Sequence, residues 1–206
     1  MLKILGRVTS INVRKVLWTC GELGIVYERE DWGAGFADPK TPEFRRLNPN
    51  ALVPVIIDDG FVLWESNAII RYLGEKHGGL IPADLKTRAV MSQWLSWQSS
   101  ELNPAWGYAV AALIRKLPGF DDESRIAASI TAWGEKMRML EARLAETGAF
   151  VAGEAFTIAD IALGLSVHRW LECPFADKPE MPAARAYRDR LAARPAAREW
   201  LVAAMP

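Results

Sequence analysis

An α/β unit followed by an all-helical unit is the fold class this sequence predicts, and three observations predict it. Short strand-like apolar runs alternate with helical patterns through the first third of the chain. The segment His77-Gly78-Gly79-Leu80-Ile81-Pro82, punctuated by Gly and Pro, then breaks that rhythm. Beyond it every strongly periodic stretch repeats at helical spacing. The boundaries that follow are residues 1–77 for the first domain, 78–83 for the linker and 84–206 for the helical domain.

Leu2 to Leu5 reads as a short strand ended by Gly6. Val13, Val16, Leu17 and Cys20 fall on one face of a helix that ends near Gly21 to Gly24. Val26 to Glu30 reads as a second strand, and Asp31 to Lys40, rich in Gly, Asp and Pro, as a loop. Thr41 caps a short helix with Pro42 at its first position, because a proline there gives up an N–H that has no partner anyway. Val53 to Ile57 and Phe61 to Trp64 form two strands joined by the turn Asp58-Asp59-Gly60. Ser66 then caps a helix that buries Ile69, Ile70 and Leu73. The order is strand, helix, strand, helix, strand, strand, helix.

In the second domain, Asp84 to Leu117 reads as one long helix, bent near Pro104. Asp121 to Glu146 places Ile126, Ile130, Trp133, Met137, Leu140 and Leu144 at alternating steps of four and three. Thr157-Ile158-Ala159-Asp160 is a capping box, with Asp in the Glu position, opening a helix through Leu171. Helices from Met181 to Ala193 and Pro195 to Ala204 finish the chain.

Composition narrows the function. Half of the 206 residues are hydrophobic, enough for a buried core in one or two domains. Lys plus Arg equals Asp plus Glu at 25 each, so no net field draws nucleic acid or an anionic membrane, and neither is expected as a partner. No apolar run reaches the roughly 18 residues of a membrane span, and Met1 to Arg7 is too short and too charged for a secretory core. A cytoplasmic protein is expected. Two distant cysteines and two histidines offer neither a disulfide scaffold nor zinc-ligand spacing, so no metal site is expected.

Three segments carry chemistry. Gly6-Arg7-Val8-Thr9-Ser10-Ile11-Asn12-Val13-Arg14-Lys15-Val16 joins the first strand to the first helix and places a hydroxyl and an amide at a helix N-terminus. Asn48-Pro49-Asn50-Ala51-Leu52-Val53-Pro54-Val55 opens the third strand. Trp64-Glu65-Ser66-Asn67-Ala68-Ile69-Ile70-Arg71-Tyr72-Leu73 runs from strand into helix. Taken singly, each also reads as plain architecture: Ser10 as a cap, Pro54 as a strand opener, Ser66 as another cap.

Together and in this order the segments resemble those of the cytosolic glutathione transferases, in particular bacterial serine-type members of theta-like or nu-like character. The resemblance implies a thioredoxin-like N-terminal domain that binds glutathione as co-substrate, beside an all-helical glutathione-transferase C-terminal domain. It implies that Ser10 and Asn12 stabilise the glutathione thiolate, whose parent thiol has a pKa of about 8.5 when free. It implies a cis Pro54 that lets the Val53 backbone pair with the cysteinyl peptide, and Glu65 and Ser66 as partners of the ammonium and carboxylate of the γ-glutamyl end. Leu52 departs from the basic or polar residue relatives often place near the glycine carboxylate, and Lys40 is the substitute the chain offers.

The resemblance further implies a homodimer, with Glu101, in Ser99-Ser100-Glu101-Leu102-Asn103, reaching a neighbouring subunit's glutathione. Trp106, Tyr108 and His168 are the second-substrate candidates, although His168 also continues the apolar stripe Ile158, Ile161, Leu165 and fits a core position. The reaction implied is thiolate attack on a small hydrophobic electrophile. With no cysteine at position 10, mixed-disulfide chemistry there is disfavoured. A glutathione-dependent disulfide or peroxide reductase and a non-enzymatic glutathione-binding or protein-interaction module are the alternatives.

Overall fold

The computed structural model describes residues 1–201. They divide into two compact units, Met1–Ile81 and the chain from Pro82 onward.

The first unit is a four-stranded sheet with helices. β1 (Leu2–Leu5) leads into α1 (Ile11–Leu23), β2 (Tyr27–Glu30), α2 (Pro42–Leu47), β3 (Val55–Asp58), β4 (Phe61–Trp64) and α3 (Ser66–His77). Strand order is β2-β1-β3-β4. β1 pairs in parallel with β2, Leu2 opposite Tyr27, and antiparallel with β3, Leu5 opposite Val55; β3 pairs antiparallel with β4. The parallel pair needs a crossover, which α1 supplies. α1 and α3 pack on each other, and Ile4, Val13, Val16, Trp18, Ile56, Ile69, Ile70 and Leu73 are fully buried. The predicted strand from Val53 begins two residues later, because Pro54, after a cis peptide bond, brings no N–H to the ladder. Thr41 caps α2 as predicted, its hydroxyl accepting from Phe44 N at 3.3 Å.

Gly6 ends β1 where the chain turns into α1. A Cβ there would lie 2.5 Å from Val13 Cγ2 and 3.2 Å from Val53 Cβ, so only glycine lets the connection pass so close to α1 and to the Val53 loop. Ser66 departs from its predicted role as cap. It is the first residue of α3, and Glu65 occupies the cap position at φ 70° with no side-chain capping bond. A non-glycine residue held at such φ costs on the order of 1–3 kcal/mol, a strain that clusters at functional sites.

In the second unit the predicted long helix is interrupted by two π turns. Asp84 caps α4 (Leu85–Trp97), accepting from Thr87 N at 2.8 Å. A wide π turn, Gln98–Leu102, follows, then α5 (Asn103–Ala109) and a second π turn, Val110–Ile114. Pro104 lacks an amide and crowds the carbonyl four residues back, and the first π turn sits there to absorb both effects. α6 (Glu123–Thr147), α7 (Ile158–Glu172), α8 (Pro182–Ala192), a 3-10 turn Pro195–Ala197 and α9 (Arg198–Leu201) complete the unit. The end of the last predicted helix, 202–204, lies outside the described residues.

α7 is the centre of this unit, with every residue from Ile158 to Trp170 buried. Its start is the predicted capping box. Thr157 Oγ1 accepts from Ala159 N at 3.3 Å, while Asp160 Oδ2 accepts from Thr157 N at 2.8 Å. Asp160 Oδ1 also takes Val151 N and the Tyr187 hydroxyl, each at 2.9 Å, so one fully buried carboxyl ties α7 to α8 and to the preceding loop. No helix among the described residues is long and apolar enough to cross a membrane.

Candidate active site

The strand-to-helix junctions of the first unit converge. Asn12, Asn48, Leu52, Val53, Pro54, Glu65 and Ser66 line one cleft. The second motif, on the approach to β3, supplies its middle; the first and third, at the N-termini of α1 and α3, supply a side each. Helix N-termini present unpaired N–H groups and a positive dipole end, so this cleft suits an anionic, peptide-like ligand.

Ser10 stands at the cap position of α1 in extended conformation, but its hydroxyl makes no capping bond. Its neighbour Thr9 accepts from Arg7 Nη1 at 2.6 Å, which engages the loop's other hydroxyl. Ser10 is part-buried and is not among the cleft-lining residues, whereas Asn12, in the first turn of α1, is. Asn12 Oδ1 accepts from Ser66 Oγ at 3.3 Å. Its Nδ2 hydrogens remain as donors.

The loop before β3 is braced by a residue that sequence reasoning passed over. Asn48, 3% exposed, donates from Nδ2 to Leu52 O at 2.7 Å and accepts at Oδ1 from Asn50 N at 3.0 Å. These bonds hold Ala51, at φ 55°, and carry Leu52 and Val53 to the cleft. The signal was the Asn-Pro-Asn run, since Asn is a frequent turn-former through such bonds. Leu52 is 62% exposed at the rim. Lys40 is exposed and outside the lining.

A second residue missed from sequence is Lys15. It is 1% exposed, and its Nζ donates to Ser66 Oγ at 3.3 Å and to Asn67 Oδ1 at 3.0 Å. A lysine in the second turn of an apolar helix face reads as a surface charge, and only the packing of α1 against α3 turns it inward.

In the helical unit the candidates are placed differently. Trp106 is 7% exposed, with the Arg169 guanidinium 4.4 Å over its ring. His168, beside Arg169 in α7, is 2% exposed. Tyr108 is only part-buried; its ring meets Phe120 at 5.0 Å and carries the Arg125 guanidinium at 4.3 Å. The Tyr108 hydroxyl has no hydrogen-bond partner among the described residues. Glu101 lies in the first π turn, exposed, and pairs with Lys136 at 2.7 Å.

The chain's own thiols are inert. Burial pushes Cys20 up to about 12 and Cys173 up to about 11, far from thiolate formation near neutrality. Among the described residues no three of His, Cys, Asp and Glu gather in a metal-binding group.

The fold and cleft define a thioredoxin-like ligand-binding domain joined to a helical one, and the comparisons give that combination its family. Residues 9–76 match the description "Glutathione S-transferase, N-terminal domain" and residues 103–195 match "Glutathione S-transferase, C-terminal domain". Glutathione S-transferase GstB of Escherichia coli strain K12 is 34% identical over 203 residues, covering 97% of both chains. The theta-class glutathione S-transferase of Xanthomonas axonopodis pv. citri, solved with glutathione bound, superposes with a TM-score of 0.93 at 36% identity, covering 100% of this chain and 99% of that one. Glutathione transferase F7 of Populus trichocarpa gives 0.86 at 26% identity, covering 97% of each. The chain belongs to the glutathione S-transferase family.

Proposed function

We propose that this glutathione S-transferase ionises the thiol of glutathione with Ser10 and Asn12 and directs the thiolate at a small hydrophobic electrophile. The observation that carries the reading is Ser10 at the cap of α1 with its hydroxyl not committed to the helix. A serine there for folding alone would cap. A hydroxyl at the positive end of a helix, beside the Asn12 amide, favours a bound thiolate over the thiol.

In this reading the Val53 backbone pairs with the cysteinyl peptide as an added strand, with cis Pro54 shaping the loop. Ser66, at the N-terminus of α3, receives the γ-glutamyl carboxylate, and Glu65 accepts from the neighbouring ammonium. The strained backbone of Glu65 supports this, since it turns a residue toward a ligand at the expense of the helix cap. Tyr108, part-buried through its ring although its hydroxyl is buried and without a hydrogen-bond partner among the described residues, is the second-substrate residue ahead of the more deeply buried Trp106 and His168. The protein works as a homodimer; sedimentation at micromolar concentration checks that, and a pure monomer would refute it.

The deciding experiment is an ultraviolet difference titration of bound glutathione. The thiolate absorbance should rise with a midpoint at least one unit below the free value of about 8.5. Glutathione bound with an unshifted midpoint would remove the catalytic assignment of Ser10 and Asn12.

A further inference from the structure

Lys15 stands behind Ser66, which lines the cleft, and reaches Asn67 beside it. An ammonium can only donate, so Ser66 Oγ, 3.3 Å away, must accept from it. With one lone pair so engaged, the Ser66 proton is turned forward, and Asn12 Oδ1 receives it at 3.3 Å. The three side chains thus form a one-way series, from Lys15 through Ser66 to Asn12, whose sense is fixed at the buried end. Asn67 is fixed likewise, its amide oxygen held inward by the same ammonium at 3.0 Å.

We propose that Lys15 is a positioning residue for the α-carboxylate of an amino-acid ligand: by holding Ser66 Oγ as an acceptor it keeps the single Ser66 proton on the cleft side, where an incoming carboxylate takes it over from Asn12 Oδ1, and it adds a positive charge behind that hydroxyl. This rests on the glutathione reading above, and deepens it by naming what prepares Ser66. A carboxylate oxygen accepting from Ser66 at about 2.7 Å stands within about 6 Å of the ammonium. At 1% exposure the charge is not screened by solvent as a surface lysine is. Lys15 touches neither the ligand nor the reacting sulfur; it acts through Ser66.

Paired ligands test this. Glutathione and its analogue lacking only the γ-glutamyl α-carboxylate are titrated calorimetrically against the full chain and its Lys15→Met and Lys15→Arg variants. The expected result is that Lys15→Met weakens glutathione about tenfold or more, leaves the analogue within about twofold, and leaves kcat at saturating glutathione near its starting value, while Lys15→Arg restores most of the loss. A merely structural lysine would weaken both ligands alike, and that outcome, or no change in either, overturns the proposal. If Lys15→Met does not fold, nitrogen NMR of the Lys15 ammonium in the unaltered protein replaces it. Its resonance should move with glutathione and stay with the analogue; movement with both, or with neither, overturns the proposal. Failure of the unaltered protein to bind glutathione at all would instead sink the glutathione reading, so the two failures are distinct.

Discussion

The Ser66 hydroxyl donates to Asn12 Oδ1 across 3.3 Å, so the first turns of α3 and α1, 54 residues apart in the chain, meet in a single polar contact. That contact orients the Asn12 amide. In the ligand-free cleft its oxygen is engaged and its two N–H hydrogens remain as donors, the polarity that the proposed thiolate contact needs.

Ser10→Ala should therefore lower kcat about 10- to 100-fold while the KM for glutathione changes only a few-fold. The lost bond is charge-assisted, worth about 1.5–3 kcal/mol, and acts on the ionised thiol alone. The bound-thiol pKa should rise by about one to two units, at about 1.4 kcal/mol per unit. Asn12→Ala should move it less. The reverse ranking in the difference titration would make Asn12 the principal donor.

Ser66→Ala should separate from these by its kinetic signature. Ser66 is assigned to a part of glutathione that does not react, so its loss should raise KM about tenfold and leave kcat at saturation largely intact. Steady-state kinetics with varied glutathione reads this directly. An equal fall in kcat would place Ser66 in thiol activation instead.

Asp160→Ala should destabilise the helical unit by about 3–5 kcal/mol, well above the ~1 kcal/mol of an ordinary cap. The carboxyl accepts from Thr157 N, Val151 N and the Tyr187 hydroxyl, all in the interior, and its removal orphans them together. Asp160→Asn, which keeps one acceptor oxygen, should lose less. Urea unfolding checks both, and a loss near 1 kcal/mol for Asp160→Ala would reduce the motif to a plain cap.

Acid stability should depend on Asp58. The Lys76 ammonium and then the Tyr72 hydroxyl, 2.7 Å away, hold the Asp58 carboxyl below its ordinary value of 3.8. The folded state thus prefers the ionised form more than the unfolded chain does. That stability is fully present above pH 3.8 and is lost as pH falls through the lower folded value. Asp58→Asn should flatten the acid limb of the stability profile, as thermal unfolding from pH 2 to 6 would show.

Much of the first unit was legible because its signals are local. The cap at Thr41, the Asp59-Gly60 turn and the stripe Val13, Val16, Leu17 and Cys20 of α1 are each written within a few consecutive residues. Ser66 was misjudged as a cap because Ser at a strand-to-helix junction is the standard cap. Nothing in sequence tells that Glu65 adopts positive φ and takes that place. The π turns in the long helix were likewise hidden, since proline announces a bend but not how the backbone absorbs it.

By itself the sequence determined the fold class and the family, and it pointed to Asn12, Val53, Glu65 and Ser66, which line one cleft, because hydrophobic period, turn chemistry and short motifs are written in consecutive residues. Tertiary structure alone decided that Asn12 faces Ser66, that Asn48 braces the loop, and that Lys15 is buried behind Ser66 rather than solvated. Each of these depends on the docking of α1 against α3 or on the path of a loop. The direction in which a side chain points across such a junction is a property of the packed chain, not of its neighbours in sequence.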